Sequence, residues 1–120
     1  MSEKSNSAEI RIDVNYAIEL ITEIFQAKSC NHYEAKTIAE RLCGSNLKGH
    51  DSHGSARVPR YVEWMERGWL YPNMKPELVV DAGAMACLDA KQGFGQIAGE
   101  CAVDEGIERA KKHGCSVAVS

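Results

Sequence analysis

Between Gly49 and Tyr61 the chain reads Gly-His-Asp-Ser-His-Gly-Ser-Ala-Arg-Val-Pro-Arg-Tyr, a segment dense in reactive side chains. His53, Arg57 and Tyr61 are spaced four apart. On a helix or its first turn, that spacing projects them from one face. An imidazole, a guanidinium and a phenol together suit a small carboxylic acid. Arg57 can clamp the carboxylate through paired N–H donors while His53 and Tyr61 hydrogen-bond the neighbouring oxygen. The three are therefore expected to line one common hollow.

Other chemistry in the segment is weaker. His50-x-x-His53 with Asp51 has the look of a metal site, but zinc requires at least three protein ligands, and no second cluster is present. A solvated polar turn is the plainer alternative for these histidines. His32 and His113 fall at helix ends, where they cap or face water. Gly93-Phe94-Gly95-Gln96-Ile97-Ala98-Gly99 follows a strand and opens a helix, in the manner of a relaxed dinucleotide fingerprint. Its spacing is not GxGxxG, however, and a tight strand-to-helix turn explains the glycines. Cofactor-binding residues are left unassigned.

The elements that must position these groups can be read from periodicity. Asp13 caps a helix whose apolar stripe is Val14, Ala17, Ile18, Ile21, Ile24 and Phe25. Asn31 with Glu34 three residues on forms a variant capping box for a second helix, with Ala35, Ile38, Ala39, Leu42 and Cys43 as its apolar face. A third helix starts near Ser55 to Pro59 and stops at Gly68. After Pro72-Asn73-Met74-Lys75-Pro76 the texture changes. Residues 77–81 and 84–88 form a hairpin around Ala82-Gly83. A long helix over 96–113 then ends at Gly114, and its charged positions (Lys91 just before it, then Glu100, Asp104, Glu105, Glu108, Arg109, Lys111, Lys112) form a wet side. The apolar run 115–119 reads as a strand covered on both faces. Trp64, Trp69 and Tyr71 are expected in the core or at a subunit contact.

Together these give an α/β (α+β) arrangement: residues 1–12 a disordered lead-in, 13–72 a helical segment, 73–120 the first part of an α/β domain. A central strand followed at once by the end of the chain suggests a stretch of a longer protein. Composition limits the partners. Net charge is −3, against a nucleic-acid surface, and Lys36, Arg41 and Lys48 are offset by Glu34 and Glu40 on the second helix. No apolar run reaches the ~18 residues of a membrane span. The five cysteines are odd in number and lack CxxC spacing, which suits free thiols in a reducing cytoplasm. Cys43, Cys101 and Cys115 are expected on apolar faces.

The run Asp51-Ser52-His53-Gly54-x-x-Arg57-x-Pro59-x-Tyr61 resembles the malate/L-lactate dehydrogenase family. The Gly68…Pro72 segment, Gly93-Phe94-Gly95-Gln96 and the Ala110-Lys111-x-x-Gly114 helix ending add to the likeness. Ureidoglycolate, sulfolactate and piperideine-carboxylate reductases are relatives. The resemblance implies a non-Rossmann α/β fold, an oxidoreductase that interconverts 2-hydroxy and 2-oxo acids with NAD or NADP, and a homodimer. Matched by position, it implies substrate-pocket roles for Ser52, His53, Arg57 and Tyr61. The family's main acid/base histidine lies beyond Val119, so His53 is a supporting group and this stretch is expected to be inactive alone. A non-catalytic helical interaction module, or an inactive gene fragment, is the competing reading.

Overall fold

In the computed structural model, which describes residues 10–120, two helices come first: α1 (Val14–Ala27) and α2 (His32–Leu47). The lead-in expected over residues 1–12 lies outside the described residues as far as residue 9. Asp13 caps α1, its carboxylate accepting the Tyr16 N–H at 3.1 Å. The two helices bury their stripes against each other, and Phe25, Ile38 and Leu42 are the largest side chains fully removed from solvent. Removing such groups from water supplies most of the favourable folding free energy.

The α2 cap departs from a capping box in an informative way. Asn31 Oδ1 accepts the Glu34 N–H at 2.8 Å, as expected. The Glu34 carboxylate does not turn back to the cap; it accepts the backbone N–H of Asn73. Asn73 fills the vacated role, accepting the Asn31 N–H on Oδ1 at 2.7 Å and donating through Nδ2 to Ser29 O at 2.7 Å. The 72–74 turn, with Asn73 in the left-handed region at φ 61°, is thereby tied to the start of α2.

Glu34 is 3% exposed, and among the described residues its Oε1 has no hydrogen-bond partner. Burial therefore raises its carboxyl above the usual range, with the Asn73 N–H opposing in part. The neighbouring Cys30 thiol is pushed up to about 12 by burial and by Glu34. A carboxyl raised on folding adds stability below its unfolded pKa, and that increment is lost as pH rises through the folded pKa. Glu34→Gln should therefore gain in melting temperature over the native chain as the pH is taken from acidic to neutral. Thermal unfolding across that range checks it; a constant difference would contradict it.

Two 3₁₀ turns, Asp51–His53 and Ser55–Arg57, lead into α3 (Val58–Glu66), with Pro59 in its first turn. Gly68 at φ 74° follows its end. β1 (Glu77–Ala82) and β2 (Met85–Asp89) pair antiparallel, with an irregularity between Leu78 and Val80, and Gly83 at φ 63° makes the turn. α4 (Gly95–His113) stops at Gly114, in the left-handed region at φ 84°, and β3 (Val117–Val119) then pairs parallel to β2. The sheet order is β1-β2-β3. Phe94, at the mouth of α4, joins the α1–α2 core and links sheet to helices.

Three expectations need correction. β3 is an edge strand of this sheet, with Val117 58% and Val119 53% exposed, because among the described residues only α4 and β2 cover it. Cys115 is exposed rather than on an apolar face, since it precedes the strand. The side of α4 carrying the charges is not uniformly wet. The Arg109 side chain is 11% exposed; it reaches Asp81 at 2.9 Å, Glu105 at 3.0 Å and Gly83 O at 2.7 Å, pinning the hairpin to the helix. Trp64 is half-buried, whereas Trp69 is exposed under the Arg67 guanidinium.

Candidate functional site

The chemistry-bearing segment is shaped by one asparagine. Asn46, on the last turn of α2, accepts the Ser55 N–H on Oδ1 and donates through Nδ2 to Asp51 Oδ1, both at 2.7 Å. Its amide thus staples the two 3₁₀ turns together. Gly54 lies between them, buried, and a Cβ there would run into the Asn46 side-chain amide. Because that amide is held at both ends it cannot swing clear. Gly54→Ala should therefore cost about 1–3 kcal/mol, as overpacking does. Gly44→Ala, where a Cβ would meet nothing within 4 Å, should be neutral or stabilise the helix. Paired thermal melts read the contrast; equal shifts would rule out the staple.

Gly54 adopts φ −99°, ψ −148°, an extended geometry that breaks the helical path between His53 and Arg57. The three groups expected to share one hollow are accordingly not all together. Ser52 and Arg57 line a hollow of about 250 Å³ with Ala56 and Arg60. Tyr61 lines another, of about 500 Å³, with Trp64, Leu70, Gly93, Phe94, Gly95 and Gln96. His53 lines neither; it is exposed, its Nδ1 3.0 Å from Ser52 Oγ. Arg57 and Tyr61 remain one helical turn apart, a separation of about 5–6 Å between Cβ atoms.

Arg57 is aimed by its own loop. Its Nε–H donates to Ser52 O at 2.9 Å, which fixes the plane of the guanidinium and leaves the terminal N–H groups for another acceptor. Among the described residues neither Arg57 nor Arg60 has a carboxylate partner. Two such guanidiniums beside a hydroxyl-bearing Ser52 have the donor chemistry to hold an anion with paired oxygens. Arg60 joins Arg57 there because the Arg57-x-x-Arg60 spacing puts both on neighbouring positions of a helical face.

Tyr61 is held differently. Its ring packs on Phe25, Phe94 and Trp64, with centroid separations of 6.4, 5.9 and 5.7 Å. The Gln96 carboxamide donates to Tyr61 Oη at 3.2 Å. No sequence signal links two residues 35 positions apart; only the docking of α4 on the core does.

The glycine-rich entry to α4 lacks GxGxxG spacing, and its first glycine is accounted for by packing. Gly93 is needed for packing, since a Cβ would press on Met74 Cβ at 2.8 Å and Ala90 O at 3.0 Å. Gly95 and Gly99 border a hollow with Arg41, Glu100 and Asp104. Arg41 is spent on Glu100 at 2.6 Å, and Tyr33 Oη donates to the same carboxylate at 2.9 Å. Arg41 in turn holds the Glu100 carboxyl below its ordinary range. Arg41 offsets Glu100, so Asp104 is the carboxylate left on that hollow, which disfavours a phosphate there. Gly93 thus serves the turn, whereas at Gly95 and Gly99 a Cβ would meet nothing within 4 Å.

The family model for malate/L-lactate dehydrogenase matches residues 12–120. The chain belongs to the malate/L-lactate dehydrogenase family. Hydroxycarboxylate dehydrogenase B of Escherichia coli K12 is 38% identical over 104 residues, which are 87% of this chain and 29% of that protein. Sulfolactate dehydrogenase from Methanocaldococcus jannaschii superimposes with a TM-score of 0.86 at 28% identity, over 92% of this chain and 32% of that one. Malate dehydrogenase from Pyrococcus horikoshii gives a TM-score of 0.86 at 26% identity, over 92% and 32%. The chain thus spans under a third of the length of these family members, and its mixed α/β architecture is theirs over that span.

Proposed function

We propose that this chain supplies the carboxylate-binding side of an oxidoreductase that interconverts a small 2-hydroxy acid and its 2-oxo acid. The observation that carries the proposal is Arg57. Its plane is fixed by the Ser52 carbonyl, its remaining donors lack a carboxylate partner among the described residues, and Arg60 and Ser52 border the same hollow. In this reading Arg57 clamps the substrate carboxylate, with Ser52 beside it. Tyr61, one turn away on the second hollow, is assigned to the oxygen on C2, and His53, which borders neither hollow, to a supporting role through Ser52 Oγ at 3.0 Å.

Fixing the acid at two points orients C2 for reaction, and orientation of this kind is a large part of catalysis. The names of the relatives, dehydrogenases of hydroxycarboxylates, malate and sulfolactate, support the substrate class. NAD or NADP is the cofactor proposed. With Asp104 the unpaired charge on the α4 hollow and unpaired guanidiniums at Arg57 and Arg60, this chain's described residues are assigned to the substrate side. A homodimer and a cytoplasmic location complete the proposal, in keeping with five cysteines that are all free.

The test is a spectrophotometric screen of the intact gene product. Malate, lactate, sulfolactate and cyclic imino acids are each tried with both nicotinamides. Turnover of at least one is expected; failure with every pair would overturn the assignment.

A further inference from the structure

The aromatic packing around Tyr61 leaves one freedom undecided, the rotation of its hydroxyl proton. Phe25, Phe94 and Trp64 fix the ring. A phenol oxygen both donates and accepts, whereas a carboxamide nitrogen only donates. The Gln96 Nε2 contact at 3.2 Å therefore makes Tyr61 Oη the acceptor. With that lone pair engaged, the Tyr61 proton is turned away from Gln96. Among the described residues no acceptor takes it. Both side chains are half-buried and border the same hollow, so the free proton is within reach of a ligand there.

We propose that Gln96 is a positioning residue: by donating to Tyr61 Oη it commits the phenol proton to an acceptor oxygen in the adjoining hollow. This rests on the proposed role of Tyr61 toward the C2 oxygen and adds a direction to it. Tyr61 is the donor and the substrate oxygen the acceptor. A 2-oxo acid, whose carbonyl oxygen can only accept, is then better served than its 2-hydroxy partner, whose hydroxyl also needs an acceptor.

A double-mutant cycle in the intact gene product tests it, with pyruvate or oxaloacetate and whichever nicotinamide supports turnover. Gln96→Met removes the donor at similar volume, and kcat/KM is expected to fall about fivefold to thirtyfold, the equivalent of one hydrogen bond of about 1–2 kcal/mol. Tyr61→Phe should fall at least as far, and adding Gln96→Met to it should then change nothing, since Gln96 acts only through the phenol. Gln96→Glu supplies a second readout. Its carboxylate, ionised from neutral pH upward, accepts the Tyr61 proton and reverses the bond, so activity should be low there and recover on acidification into the carboxyl range, about pH 4–5, where the carboxyl donates as Gln96 does.

Equal losses from Gln96→Met in both backgrounds, or a Gln96→Glu profile parallel to the native one, would overturn the inference while leaving Tyr61 in the site. Native kinetics in Tyr61→Phe would instead remove Tyr61 from the substrate and the inference with it. Melting temperatures of the variants separate either result from loss of fold.

Discussion

Arg57→Ala in the intact gene product is expected to lower kcat/KM for the 2-oxo acid by about 30-fold to several thousandfold, with KM rising. The range follows from the 2–5 kcal/mol typical of truncating one partner of a desolvated charge pair. KM rises because a carboxylate clamp holds ground and transition states alike; kcat falls in so far as the clamp also orients C2. Arg57→Lys should recover only part of the loss. An ammonium keeps the charge but not the paired donors, and it cannot reproduce the Nε–H contact to Ser52 O at 2.9 Å that aims the group. Steady-state kinetics of the two variants provide the check. Unchanged constants in Arg57→Ala would refute the carboxylate role.

Phe25→Ala should be the most damaging single truncation of the core. Phe25 is completely buried and meets Phe94 edge-on at 5.7 Å and Tyr61 at 6.4 Å. Deleting a buried phenyl group costs about 3–5 kcal/mol, a large share of the 5–15 kcal/mol by which domains are stable. The damage extends beyond the cavity, because the ring fixes Tyr61 from one helix and Phe94 at the mouth of α4. A denaturant titration of the chain should show the midpoint falling at constant slope, with Phe25→Leu losing less. A midpoint within error of the native one would mean that this contact does not hold the helices to the sheet.

Much of the fold is legible in residue order. The α1 and α2 stripes, the caps at Asp13 and Asn31, and the stops at Gly68 and Gly114 all lie where local patterning puts them, because each depends on neighbours within one or two turns. What patterning misses is contact across the chain. The Glu34 carboxylate abandons the capping box for Asn73, 39 residues away, which no local motif announces. Arg109 reads as one charge among many until the hairpin is seen to fold against it.

The candidate site divides the same way. The residue types in 52–61 and the fourfold spacing pointed to an acid-binding segment, and Arg57 with Ser52 does border a hollow. The common hollow is divided: Gly54 breaks the helical path at His53, and three aromatic rings hold the half-buried Tyr61 so that it borders a second hollow. Asn46, Arg60 and Gln96, which set the loop, the charge and the Tyr61 partner, come into view only with the tertiary structure.

The most direct measurement is a crystal structure of the intact gene product soaked with oxamate, a stable mimic of a 2-oxo acid. Its carboxylate should lie on Arg57 with two N–H···O contacts of about 2.7–2.9 Å, while Nε keeps its bond to Ser52 O. Oxamate bound elsewhere, with the Arg57 hollow empty, would contradict the assignment.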